Sequence, residues 1–152
     1  MPEEAVSQVT YSSLYRHSVD DKRRVSVPFR WRSSEPIELT IVVWPKHQAG
    51  TCLLVLPPQQ WIELRKEISE MPSSDPLKPV LRRAMGVLSI QAKLDSAGRI
   101  ALPEEMAAAA EINGQAVLVG CLDRFEIWSP ERYKQVEMLD KALLPQALQL
   151  VE

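Results

Sequence analysis

Cysteine, histidine and glycine are scarce in this chain: two, two and five among 152 residues. Cys52 and Cys121 sit far apart in apolar surroundings, and neither forms a local ligand pair with the other or with His17 or His47. A zinc site needs such paired spacing. The expected state is therefore a pair of free thiols in a reducing compartment, with no metal. The few glycines build no phosphate-binding loop and no nucleophile elbow, and no HExxH occurs. His17, Ser18, Asp20 and Asp21 supply the residue types of a triad, but neighbours on a strand point to opposite faces. The chain is thus expected to be neither an enzyme nor the holder of a cofactor. No apolar run approaches the roughly 18 residues of a membrane span. Met1 to Gln8 carries two glutamates and no apolar stretch, so no secretory signal is expected there. The expected location is the cytoplasm.

Net charge is small, −2, but unevenly spread. Between Tyr15 and Arg32 stand Arg16, Lys22, Arg23, Arg24, Arg30 and Arg32 against Asp20 and Asp21, a local charge of +4. From Glu104 onward nine acids face four bases, a local charge of −5. A net-acidic chain does not bind nucleic acid by overall charge. A basic segment within it still suggests an anionic partner for one surface.

The most informative pattern is a repeat. Asp20-Asp21-Lys22-Arg23-Arg24-Val25-Ser26-Val27-Pro28 returns 75 residues later as Asp95-Ser96-Ala97-Gly98-Arg99-Ile100-Ala101-Leu102-Pro103. Each copy reads Asp, three polar or small residues, Arg, a β-branched residue, a small residue, an aliphatic residue and Pro. That is a polar turn feeding a short alternating strand that proline ends.

The flanking elements repeat as well. Tyr11–Val19 and Arg24–Pro28 are expected to form a hairpin around residues 21–23, followed by a short link over 29–35. Leu39–Trp44 and Cys52–Leu56 read as buried strands. A helix starts at Pro58 and carries the stripe Trp61, Leu64, Ile68 and Met71, ending at Met71-Pro72. A linking helix begins near Asp75-Pro76 and ends near Ala84. The second half then gives strand 87–94, the second turn, strand 99–102 and a helix from Pro103 that Asn113-Gly114 ends. Strands over 115–120 and 124–128 follow, then a helix from Ser129-Pro130 that Pro145 breaks. Residues 1–10 are expected to be frayed. The order is the same in both halves, and Trp61 and Tyr133 each stand three residues after the initiating proline.

These strings identify a family. "DDKRRVSVP", "LDSAGRIALP", "CLLVLPPQQW" and, most specifically, "VLVGCLDRFEIWSPERY" over Val117–Tyr133 make the chain resemble the MraZ family of bacterial transcriptional regulators. The resemblance covers roughly 11–133. It implies an α+β, β-rich fold: tandem SpoVT-AbrB-type swapped-hairpin repeats around a pseudo-two-fold β-barrel core with flanking helices. The corresponding division is repeat 1 over 9–57, linking helices over 58–86, repeat 2 over 87–130, and a C-terminal helix and tail over 131–152. It implies a nucleoid-associated repressor of the cell-division and cell-wall gene cluster that binds tandem promoter repeats in double-stranded DNA and assembles into a ring-like homo-oligomer. It assigns DNA contact to Asp20 and Arg24 in the first copy and to Asp95 and Arg99 in the second. The chain departs from the family at Arg23, where the family has the glycine kept here at Gly98.

The chemistry of the turns fits that assignment. An arginine can bond bidentately to guanine O6 and N7, neighbouring cations can hold phosphates, and a carboxylate four residues earlier can fix the arginine. Lys22, Arg23 and Arg16 add charge beside the first copy, which ranks it above the second as the DNA surface. The competing reading is a turn-stabilising ion pair with no ligand, in a protein-interaction or antitoxin-like module of the same fold.

Overall fold

The apolar residues that follow each turn meet one another. In the computed structural model, which describes residues 9–151, strand β2 (Arg24–Ser26) pairs antiparallel with β6 (Arg99–Ala101), and Val25 stands opposite Ile100. Val25, Val27, Ile100 and Leu102 are all buried, each burial stabilising the fold by about 1.5–3 kcal/mol. That exchange replaces the expected local hairpins. Strand β1 (Leu14–Ser18) forms no ladder with β2 among the described residues; the two arms of the first turn pair at the isolated bridge Val19↔Val25. The ladder partner of β1 is instead β7 (Gln115–Gly120), from the other half.

The remaining strands are β3 (Leu39–Trp44), β4 (Cys52–Leu56), β5 (Ser89–Ala92) and β8 (Phe125–Trp128). With β1 and β7 they form a six-stranded sheet in the order β1-β7-β8-β4-β3-β5. Exchanging each strand for its counterpart in the other repeat turns this order into its own reverse, with β4 and β8 at its centre. Among the described residues the ladder stops at β1 and β5 rather than closing. The chain is therefore a mixed α+β protein built on antiparallel strands.

Both faces of the sheet are covered, which explains the unbroken apolar runs of β3 and β4. One face packs under the β2–β6 pair. Its core holds the aromatic group Tyr11, Trp31 and Phe125 with Ile41, Leu53, Leu118 and Ile127. The other face packs under helices α1 (Pro58–Ser69), α2 (Leu77–Val87) and α4 (Pro130–Leu148), around Leu56, Ile68, Met85, Trp128 and Val136. Pro58 opens α1 and Ser129 caps α4, its Oγ accepting from the Arg132 N–H at 3.2 Å.

The link over 29–35 holds one 3-10 turn, Phe29–Trp31, within its expected bounds. Several boundaries differ from the sequence reading. Helix α1 ends at Ser69, before Met71, and β5 covers Ser89–Ala92 of the strand expected over 87–94. Helix α2 runs to Val87 rather than Ala84, and its start is fixed by Asp75 Oδ1, which accepts from the Leu77 N–H at 2.9 Å. Helix α3 (Glu104–Ala109) ends before Asn113-Gly114. Ile112 N–H donates to the Ala107 carbonyl at 2.9 Å and Glu111 N–H to that of Ala108 at 3.1 Å, with Glu111 at φ 55°. This is a Schellman stop with a non-glycine residue in the left-handed position, and Glu111 Oε2 is held there by Arg132 Nη2 at 3.0 Å. Pro145 lies inside α4. It removes only the donor to the Lys141 carbonyl on an exposed last turn, where water can replace it. Residues 1–8, most of the stretch expected to be frayed and all of the stretch expected to carry no signal, lie outside the described residues.

Candidate nucleic-acid interface

Each turn is built around its aspartate. Asp20 Oδ1 accepts from the backbone N–H of Lys22 at 2.9 Å and of Arg24 at 2.8 Å, and Oδ2 accepts from Arg24 Nε at 2.7 Å. The second copy reproduces this set. Asp95 Oδ1 accepts from Ala97 N–H and Arg99 N–H, both at 2.9 Å, and Oδ2 from Arg99 Nε at 3.0 Å. The backbone closes alike, with Arg23 N–H donating to the Asp20 carbonyl and Gly98 N–H to the Asp95 carbonyl, both at 2.9 Å. The N–H of Arg24 is the main reason that the Asp20 carboxyl lies below the usual carboxylate range, and the N–H of Arg99 does the same for Asp95. Both stay ionised at neutral pH, and the order they impose on the turns is lost only as pH falls through those lowered values.

The β2–β6 pairing brings the two turns side by side. Arg99 Nη1 lies 3.8 Å from Asp20 Oδ2, a contact between copies. Asp20, Arg24, Asp95 and Arg99 thus form one cluster, each side chain about one-third exposed. Lys22 takes part through its backbone and extends its exposed side chain into solvent. Arg16 stands apart, on the exposed side of β1, opposite Val117.

Arg23 adopts φ 60°, close to the 79° of Gly98. The first turn therefore keeps the shape of the second, and Arg23 carries the strain of a left-handed residue, on the order of 1 kcal/mol. Its backbone carbonyl accepts from Leu102 N–H at 2.9 Å, and its Nε donates to the Leu102 carbonyl at 3.1 Å.

The strand exchange also redistributes charge. The acids that follow the second turn in sequence do not stay with it. Glu104 and Glu111 line a cleft with Asp20, Asp21 and Arg23 of the first turn. The second turn instead shares its cleft with Arg32 and Lys93, and with Glu35. The cation-based ranking of the first copy over the second counts chain neighbours alone, and the fold adds to each turn neighbours from the other half.

Arg32 is the site residue that motif reading passed over. Its Nε donates to the Val27 carbonyl at 2.9 Å, and its guanidinium lies over the exposed Phe29 ring and against Gly98. The repeat held a signal for it: 75 residues after Arg23 stands Gly98, and 75 after Arg32 stands Ala107. One arginine and one small residue occur in each pair, in opposite order.

Chemically, each aspartate occupies the Nε side of its arginine. No hydrogen bond engages the Nη atoms of Arg24 or Arg99 among the described residues. Those outward edges suit a planar acceptor pair or a phosphate. Cys52 and Cys121 play no part. Both are free, and burial raises both thiols, that of Cys121 to about 12.

Residues 89–145 match the family described as "MraZ protein, putative antitoxin-like". The chain is 34% identical over 124 residues to the transcriptional regulator MraZ of Roseiflexus castenholzii, covering 80% of this chain and 82% of that protein. It is 32% identical over 139 residues to that of Alcanivorax borkumensis, covering 87% and 92%. It is 30% identical over 135 residues to that of Hyphomonas neptunium, covering 88% and 81%. The likeness spans both repeats and both turns, and the chain belongs to the MraZ family.

Proposed function

We propose that the chain is a sequence-specific DNA-binding transcriptional repressor of the cell-division and cell-wall gene cluster, reading tandem promoter repeats through its paired Asp–Arg turns. The relatives' shared description as transcriptional regulators supports the regulatory part. The DNA part rests on one observation: both arginines are braced at Nε by an aspartate while, among the described residues, their Nη atoms make no hydrogen bond, Arg99 Nη1 only facing Asp20 Oδ2 at 3.8 Å. In this reading Arg24 and Arg99 address guanine in the major groove. Asp20 and Asp95 hold them, and Lys22, Arg23 and Arg16 contact phosphate.

One copy of such a surface binds weakly. Presenting several copies to tandem sites raises affinity through effective concentration, which suits a ring-like homo-oligomer. The open edges β1 and β5 and the exposed apolar end of α4 (Leu143, Leu144, Leu148) are candidates for its contacts. The reverse-symmetric strand order supports a swapped-hairpin, SpoVT-AbrB-type assembly of two repeats.

A second reading is an antitoxin-like protein-interaction module. The family description and the charge balance of two aspartates against two arginines favour it. A salt series separates the two. With duplex from upstream of the chain's own gene, log affinity falls against log salt by about 0.9 per phosphate neutralised. Arg24→Ala weakens binding by roughly 5- to 150-fold, the value of a bidentate base contact. Absence of binding at low salt contradicts the repressor reading and leaves the interaction module.

A further inference from the structure

Two carbonyls related by the repeat each carry a guanidinium, but the arginines come from different places. Leu102 lies 75 residues after Val27. The Leu102 carbonyl accepts from Arg23, a turn residue, at 3.1 Å. The Val27 carbonyl accepts from Arg32, a link residue, at 2.9 Å. In the second turn the position equivalent to Arg23 is Gly98, which has no side chain to offer. In the second repeat the position equivalent to Arg32 is Ala107, which is too short to reach.

Each carbonyl has room for one arginine. A Cβ placed on Gly98 would lie 2.2 Å from Arg32 Cζ and 2.5 Å from its Nε. Arg32 therefore fills the space that a side chain at 98 would need. At the first turn Arg23 and Ala107, itself packed into the core, line the same cleft. Among the described residues, the Nη atoms of Arg23 and Arg32 have no hydrogen-bond partner.

We infer that Arg23 and Arg32 are one functional position supplied from alternative places, and that both hold DNA phosphate beside the base-reading arginines. Arg23 at the family's glycine is then an exchange with position 107 that preserves the surface. This rests on the DNA-binding reading above, and it adds Arg32 to the contacting residues and position 107 as an alternative source of the cation.

The test uses the full chain and the same duplex, with thermal stability followed in parallel. Arg23→Gln and Arg32→Gln keep a side-chain N–H donor but remove the charge. Each is expected to lower the salt slope by about 0.9 and weaken binding several-fold. The transplant R23G/A107R is expected to restore slope and affinity to the wild-type values, because position 107 then serves the Leu102 carbonyl as Arg32 serves that of Val27. Unchanged slopes in both glutamine variants overturn the inference, whatever happens to stability. So does a folded R23G/A107R that binds no better than R23G alone. Arg24→Ala is the control for the parent reading. If it leaves binding intact, or the wild type does not bind, that reading fails; if it weakens binding while the glutamine variants do not, only the present inference fails.

Discussion

Phe125→Ala is expected to destabilise the chain by about 3–5 kcal/mol. Phe125 opens β8, is fully buried, and packs with ring centroids 5.5 Å from Tyr11 and 4.9 Å from Trp31. Tyr11 and Trp31 also meet edge-on at 5.7 Å, so the three rings form a closed group. Tyr11 precedes the first turn, Trp31 follows it and Phe125 comes from the second repeat. Removing the ring leaves a cavity between halves that the strand exchange has interlocked, and no single element can move to fill it. For a chain of this size the loss corresponds to a fall in Tm on the order of 10 °C. Phe125→Leu, which keeps most of the volume, is expected to cost markedly less. Thermal unfolding of both variants checks the pair.

Gly120→Ala is expected to cost a comparable amount, about 3–5 kcal/mol, for a different reason. A Cβ there would lie 2.5 Å from the Tyr11 backbone oxygen, 2.7 Å from its carbonyl carbon and 2.9 Å from Ser12 N. Backbone cannot step aside as a flexible side chain can. The segment Tyr11–Ser13 would have to leave β7. It would lose the bond from Gly120 N–H to the Ser13 carbonyl at 2.9 Å and the reciprocal pair between Tyr11 and Leu122 at 2.8 and 2.9 Å. Each contributes about 1 kcal/mol. The Ser12 carbonyl, acceptor for Trp31 Nε1 at 2.9 Å, would move as well. Denaturant unfolding should show a lower midpoint with an unchanged slope.

The repeat, the turns and the proline-initiated helices were legible because each is a local pattern. Asp20 and Asp95 organise turns whose bonds span four residues, and Pro58 and Pro130 mark helix starts by their own geometry. The choice of strand partner was not legible. A strand such as Val25-Ser26-Val27 alternates in the same way whether it pairs within its hairpin or across to Ile100, and only the packing of both repeats decides. The charged neighbours that the fold adds to each turn were not legible either. Glu104 and Glu111 follow the second turn in sequence, yet line the cleft of the first. Glu111 as a helix stop was hidden because a non-glycine residue in the left-handed region leaves no mark in the sequence, and its ion-pair partner Arg132 stands 21 positions away. Arg32 was counted as a charge and missed as a site residue, because its position has meaning only against Gly98.

The most direct test of the central claim, that strand exchange fuses the two turns into one DNA-reading surface, is a double-mutant cycle on binding. Affinities of the wild type, Arg24→Ala, Arg99→Ala and the double variant are measured on one duplex at one low salt concentration. Turns that share a cluster through the 3.8 Å contact of Arg99 with Asp20 predict a coupling of about 1 kcal/mol or more, with the double variant binding little worse than either single one. Losses that add to within about 0.5 kcal/mol would mean two independent sites, and would contradict it.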